Sequence, residues 1–187
     1  LNKVNFKSSS DTEVILELYK IFKSKTPSML EGMFAFAIYD MNSDDLFIAR
    51  DQMGIKPLYI YMNENEFYFS SEFKSFLEIE GFDKSIDYSN LSNHLVFLRS
   101  NNRGTIFKKV KKVEPGEFII VKNGKIIEKK KYFNLENTFQ VQDISISDAK
   151  NQTYDLLKSS VKKHLRSDIP IGCMLSGGID SSSILSL

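Results

Sequence analysis

Asp168-Ile169-Pro170-Ile171-Gly172-Cys173-Met174-Leu175-Ser176-Gly177-Gly178-Ile179-Asp180-Ser181-Ser182-Ser183 joins a short apolar run to a glycine turn and a hydroxyl-rich segment. Ile171 to Leu175 reads as a buried strand, Ser176-Gly177-Gly178 turns the chain, and Asp180 to Leu187 reads as a helix. That order builds an anion cradle. Glycines let the backbone approach closely, hydroxyls add donors, and the N–H groups of a helix start point their positive end at a phosphate. The alternative is a glycine turn that only packs strand on helix. No lysine follows Gly178, so the signature Gly-x-x-x-x-Gly-Lys-[Ser/Thr] is absent, as is Gly-x-Gly-x-x-Gly. Without a lysine to accompany a migrating γ-phosphate, kinase-like or GTPase-like transfer is disfavoured. Asp180 repels a phosphate unless a divalent cation sits between them, so its position implies Mg²⁺. Pyrophosphate held as a leaving group suits this arrangement.

Outward from the loop, Ser147-Asp148-Ala149-Lys150 opens a helix with Tyr154, Leu157, Val161 and Leu165 on one stripe. Helix, strand, loop and helix in succession mark the first unit of a parallel α/β domain. Residues 134–143 are polar and weakly patterned, a linker that divides the chain into domains at 1–140 and 141–187.

In the first domain, Ser10-Asp11-Thr12-Glu13 has capping-box spacing, with Ser10 placed over the third amide and Glu13 reaching back to Ser10. Val14, Ile15, Leu18, Tyr19 and Phe22 then lie on one helical face. Asp11 reads as a first-turn carboxylate serving the helix dipole, or as an exposed acceptor for a ligand's ammonium group; the helix alone favours the first. Met33 to Tyr39 is apolar almost throughout, as in a strand covered on both faces. Leu46 to Ala49 and Leu58 to Tyr61 read as further strands, and Glu66 to Ser70 closes a hairpin over Asn63-Glu64-Asn65. Between them, Arg50-Asp51-Gln52-Met53-Gly54-Ile55-Lys56-Pro57 is a specified turn, and Arg50 with Asp51 reads as a catalytic pair or, in preference, as a buried ion pair that fixes the turn. Ser71 to Leu77 and Asp87 to Leu98 read as helices, the first capped by Ser71. His94, with no cysteine or second histidine nearby, reads as a packed or surface residue. The basic run Lys108 to Lys112 reads as a solvated loop, and Asn123-Gly124 as the turn of a hairpin between Gly116–Val121 and Ile126–Phe133.

Composition narrows the classes. The 187 residues are 42% hydrophobic and 26% charged with a net charge of +1, which suggests a soluble protein with no nucleic-acid partner. No apolar run approaches the roughly 20 residues of a membrane span, and no signal peptide is visible. Cys173 is the only cysteine, which fits a reducing, cytoplasmic setting.

Ser176 to Ser182 resembles the pyrophosphate loop of N-type ATP pyrophosphatases, and Pro170 to Leu175 resembles the lead-in of the glutamine-hydrolysing asparagine synthetases. Ser10–Glu13, Glu31–Ala37, Arg50–Tyr59, Ser71–Lys74 and Glu114-Pro115-Gly116 resemble successive segments of that family's glutaminase domain, in the family's order. The resemblance implies an α+β N-terminal-nucleophile hydrolase-like αββα sandwich, followed by the first unit of a parallel α/β adenine-nucleotide-binding domain. It implies hydrolysis of glutamine by an N-terminal cysteine, transfer of the ammonia, and amidation of aspartate through an acyl-adenylate, with ATP going to AMP and pyrophosphate. By the same resemblance Asp11 holds the α-amino group of glutamine. Leu175 contacts adenosine, Ser176, Gly177, Gly178, Asp180, Ser181 and Ser182 form the pyrophosphate loop, and Asp180 meets Mg²⁺ through the pyrophosphate. A homodimer is a further expectation.

The departures set limits. Position 1 is leucine, and the family's Arg-Gly-Pro-Asp and Asn-Gly-Glu segments have no counterpart. Cys173 falls in the expected strand of the other domain and does not replace the nucleophile. The chain therefore reads as an internal piece of a longer enzyme, with no catalytic residue of its own and inactive alone in both half-reactions. Other readings keep the chemistry with a different carboxylate acceptor, a surface-polysaccharide sugar acid or a β-lactam precursor, or make the chain a non-catalytic nucleotide-binding relative.

Overall fold

The computed structural model describes residues 4–64, 66–100, 103–141 and 143–187; Leu1, Asn65 of the expected hairpin turn and Gln142 of the expected linker lie outside these. The chain divides into two units, Leu1–Thr138 and Phe139–Leu187.

The first unit opens with α1 (Asp11–Phe22), started by the Ser10 hydroxyl accepting the Thr12 amide at 3.2 Å. The expected box is modified. Glu13 reaches past Ser10 and accepts the amides of Lys7 and Ser8, each at 2.7 Å, because these two adjacent N–H groups engage both carboxylate oxygens. The Lys7 amide, helped by Ser8, holds the Glu13 carboxyl below its ordinary range.

Among the described residues seven strands follow: β1 (Ala35–Asp40), β2 (Asp45–Arg50), β3 (Tyr59–Met62), β4 (Phe67–Ser70), β5 (Val110–Lys112), β6 (Glu117–Lys122) and β7 (Lys125–Lys131). They form two antiparallel sheets in the orders β1-β2-β6-β7 and β4-β3-β5. The period of two sorts side chains into layers. Ile48 of β2, Ile60 of β3 and Ile119 and Val121 of β6 share one core, so the two sheets face each other. The alternate residues Phe47, Ala49 and Phe118 pack with Tyr19 of α1 on the outer face of the larger sheet. Tyr61 and Val110 pack with Phe76, Phe82 and Phe107 on the outer face of the smaller one. Phe47 is fully buried, its ring centroid 5.2 Å from Tyr19 and 5.3 Å from Phe118.

Several expectations change. β1 stands at the edge of its sheet, with Ala35 packed on the inter-sheet core and Phe36 and Ile38 on the outer cluster, while Tyr39 near its end is 59% exposed. The basic run is not all loop. Val110 inserts fully buried into the aromatic cluster and carries Lys111 and Lys112 into register with Ile60 and Tyr59. Ser71 caps no helix: a 3₁₀ turn runs over Phe73–Glu78 after Glu72. The expected helix over Asp87–Leu98 forms as α2 (Tyr88–Phe97), capped by Asp87, which accepts from the Asn90 amide at 3.1 Å, and His94 is exposed on it. Asn123 and Gly124 both take positive φ, 49° and 72°, the type I′ geometry that joins β6 to β7.

The second unit holds α3 (Ile146–His164) and α4 (Ile179–Ser186). Ser145 caps α3, two residues before the expected Ser147, with its hydroxyl accepting the Asp148 amide at 3.1 Å. The expected strand at Ile171–Leu175 is not formed, and Met174 is 93% exposed. A strand needs a neighbour for its backbone groups, and among the described residues of this unit there is none. No helix among the described residues is long and apolar enough to cross a membrane.

Candidate functional site

A cleft of about 630 Å³ opens in the first unit where three separated segments converge on β1. Asp11 and Thr12 stand at the start of α1, Lys56 and Pro57 at the end of the turn after β2, and Ser71 just beyond β4. Ile15, Leu16 and Met33 to Ile38 make much of the wall apolar. The Asp11 carboxylate is exposed, and its one described contact is the Thr12 hydroxyl at 3.4 Å. Among the described residues it makes no ion pair, and neither does Lys56. An open carboxylate beside an apolar wall is suited to a small ligand that carries an ammonium group on an aliphatic chain.

The turn that delivers Lys56 is built on Arg50 and Asp51, although they form no ion pair with each other. Asp51 is 1% exposed, and its Oδ1 accepts the amides of Met53 and Ile55 at 3.1 and 2.9 Å while Oδ2 accepts that of Lys56 at 2.9 Å. Arg50 donates to three carbonyls: Nε to Lys56 at 2.7 Å, Nη1 to Val113 at 2.6 Å and Nη2 to Gly54 at 2.6 Å. Burial pushes the Arg50 guanidinium below its ordinary value, with the Asp51 charge opposing. The Tyr132 hydroxyl closes the ring on the Arg50 carbonyl at 2.6 Å, and burial drives its phenol strongly upward. The expected ion pair is thus replaced by bonds from each residue to backbone. These charged groups solvate a turn whose amides and carbonyls are otherwise unpaired, which neither does by binding the other.

In the second unit Ser176, Gly177 and Gly178 form a turn, Asp180, Ser181 and Ser182 stand at the start of α4, and Leu175 is exposed just before the turn. Gly177 takes φ +80°, and Gly178 caps α4 without a side-chain partner. Ser176 Oγ and Ser181 Oγ are 3.0 Å apart, Ser181 Oγ donates to the Gly178 carbonyl at 3.1 Å, and the Ser182 amide donates to that same carbonyl at 3.0 Å. The amides of Ile179, Asp180 and Ser181 have no described acceptor, as expected of a helix start. They are the donors an anion would meet. Among the described residues no group of three or more His, Cys, Asp or Glu is placed to hold a metal. Asp180 alone fits Mg²⁺ only where phosphate oxygens and water complete the shell.

The fold brings Asp11 into a cleft with Lys56 and Ser71, and it gathers the loop residues by local geometry alone. Sequence reading missed Lys56 and Ser71 as lining residues, although both lie in motif segments, Arg50–Tyr59 and Ser71–Lys74. Their shared cleft is a through-space relation without a spacing to betray it.

Comparison with known proteins matches residues 1–133 to the family described as glutamine amidotransferase domain and residues 152–187 to that described as asparagine synthase. The chain is 40% identical over 184 residues to glutamine-hydrolyzing asparagine synthetase 1 of Bacillus subtilis, covering 97% of this chain and 28% of that protein. It is 34% identical over 183 residues to a protein of Methanocaldococcus jannaschii named putative glutamine-hydrolyzing asparagine synthetase 2, covering 95% and 35%. It is also 33% identical over 185 residues to amidase chry2 of Gibberella zeae, covering 98% and 27%. The chain thus spans only about a third or less of the length of these relatives.

Proposed function

We propose that this chain, which belongs to the glutamine amidotransferase domain family, is part of a glutamine-hydrolysing asparagine synthetase. The observation that carries this reading is the succession, in one polypeptide, of the amidotransferase unit with its Asp11 cleft and a second segment bearing a Ser-Gly-Gly loop at a helix start. In this reading the first unit belongs to an N-terminal-nucleophile αββα sandwich, and the second opens a parallel α/β nucleotide-binding domain.

Each half of the chemistry draws on different residues. Asp11, its negative charge favoured by the N-terminus of α1, accepts the α-ammonium of glutamine, while the apolar wall contacts the side chain. The nucleophile that attacks the amide is none of these 187 residues. Glutamine and water give glutamate and ammonia. In the second half, the free amides at the start of α4 and the hydroxyls of Ser176, Ser181 and Ser182 hold the β- and γ-phosphates of ATP, with Leu175 against the adenosine. Asp180 is the carboxylate that would share Mg²⁺ with those phosphates, and the ion when bound offsets their charge. The acceptor carboxylate displaces pyrophosphate to form an acyl-adenylate, and ammonia then displaces AMP to leave the amide. Aspartate is the acceptor favoured by the relatives' names, and a cytoplasmic homodimer is the working form in this reading.

A second reading keeps the chemistry and changes the acceptor to another carboxylate; not every relative carries the asparagine synthetase name, one being named amidase chry2. The test is to purify the protein encoded by the full reading frame and measure pyrophosphate and AMP release with glutamine and a panel of carboxylates. Asparagine formation with stoichiometric AMP is the expected result. Turnover with another acid and none with aspartate overturns the main reading in favour of the second. Light scattering of the same protein tests the dimer.

A further inference from the structure

We propose that a second cleft of the first unit, walled by Arg50, Lys112 and Lys131, binds a phosphate group. This cleft, of about 480 Å³, also contains Gln52, Glu114 and Asn134. Its charges are unbalanced, with three cations facing one carboxylate. That carboxylate is already engaged, since Glu114 pairs with Arg103 and, at 3.0 Å, with Lys131.

Arg50 and Lys112 are partly buried and pair with no carboxylate among the cleft's lining residues. Lys112 makes no ion pair among the described residues, and its described side-chain bond is to the Ser100 hydroxyl at 2.6 Å. An ammonium has three N–H donors, so two remain. Arg50 spends one N–H from each nitrogen on a carbonyl, which satisfies hydrogen bonding without cancelling charge. The adjacent Asp51 carboxylate, which is not part of the cleft lining, offsets part of the Arg50 charge and leaves that of Lys112 unmatched. Burial, and then repulsion from Arg50, push the Lys112 ammonium below its ordinary value. Two like charges held together in a partly buried cleft constitute a cost that a dianion removes. The side-chain amide nitrogen of Asn134, with no described acceptor, supplies a neutral donor in the cleft lining. A phosphate dianion offers the charge and the acceptor oxygens for this donor set, whether free or carried by a nucleotide.

The test is calorimetric titration of the 187-residue chain with inorganic phosphate, and separately with AMP, against chloride at matched ionic strength. Saturable binding of both ligands is expected, since the phosphate group is what the site reads. Lys112→Met is expected to weaken it about tenfold, the loss of one charge-assisted hydrogen bond, with Lys112→Arg retaining it. Asn134→Leu is a second variant expected to weaken binding without touching the charged residues. Replacing Ser176 and Ser181 by alanine is expected to leave a saturable component that still depends on Lys112. Absence of saturable binding, binding of AMP alone, an unchanged constant in Lys112→Met, or complete loss in the serine variant overturns the proposal.

Discussion

Arg103 donates through Nη2 to Oε1 of Glu117 at 2.9 Å and through Nη1 to Oε2 at 3.3 Å, on a side chain only 2% exposed. Glu117 also accepts the Glu114 amide at 3.1 Å, and Lys129 stands 3.9 Å away, so the bidentate arginine is its main neutralising partner. Arg103→Met is expected to leave a buried carboxylate under-compensated and to cost roughly 3 kcal/mol, the low end for breaking a buried pair because the arginine is partly exposed. Urea unfolding measures this. The double variant Arg103→Met, Glu117→Leu is expected to recover part of the loss.

Gly116, at φ +67°, is enclosed: a Cβ there would stand 2.7 Å from the Phe133 carbonyl oxygen. Gly81 takes a similar φ of +72° with nothing within 4 Å of such an atom. Gly81→Ala is therefore expected to cost only the left-handed backbone penalty, about 1–2 kcal/mol. Gly116→Ala must also displace backbone and is expected to cost more. Melting temperatures of the two variants check the order, and equal losses contradict it.

Asp51→Asn preserves size while exchanging one acceptor oxygen for a donor. With three amides directed at the carboxylate, at least one N–H is expected to face another donor, at a cost of about 1–3 kcal/mol. Amide exchange at Ile55 and Lys56 is expected to accelerate first. Unchanged protection at both would show that the turn does not depend on this carboxylate.

The Asp83 carboxyl lies at about 2, held down first by the Ser85 hydroxyl, then by the Ser85 amide and Lys109. A carboxyl depressed in the folded state contributes stability that is full above its unfolded value, near 4, and fades as pH falls toward about 2. Titration by carboxyl-carbon NMR is expected to give a midpoint near 2 in the native chain and a higher one in Ser85→Ala. The same midpoint in both would remove the hydroxyl as the leading cause.

In the full-length protein, Asp11→Asn is expected to raise the KM for glutamine by about tenfold or more, since one charge-assisted hydrogen bond to the ammonium is weakened. Activity with added ammonia in place of glutamine is expected to stay at the parent level. Loss of both together would assign Asp11 a structural role instead.

Sequence alone determined the features that arise from interactions between near neighbours. Asn123-Gly124 specified its hairpin because both residues tolerate positive φ, and Ser10 specified a helix start because a short acceptor beside a free amide is a local arrangement. The apolar run Leu46 to Ala49 identified a strand, and the ordered motifs pointed to the amidotransferase family. Tertiary structure decided whatever depends on a partner distant in the chain. It turned Arg50 and Asp51 from an expected pair into two separate backbone ties: most of their partners lie within the turn itself, but the Val113 carbonyl that Arg50 binds arrives only on folding. It drew Val110 into a strand because β3 offered an unpaired edge beside an aromatic cluster, and it left Ile171–Leu175 unpaired where no neighbouring strand was present among the described residues. It also assembled Asp11, Lys56 and Ser71 around one cleft. Hydrophobic pattern and turn chemistry act within a few residues, whereas charge pairing and strand pairing are resolved by which groups meet in space.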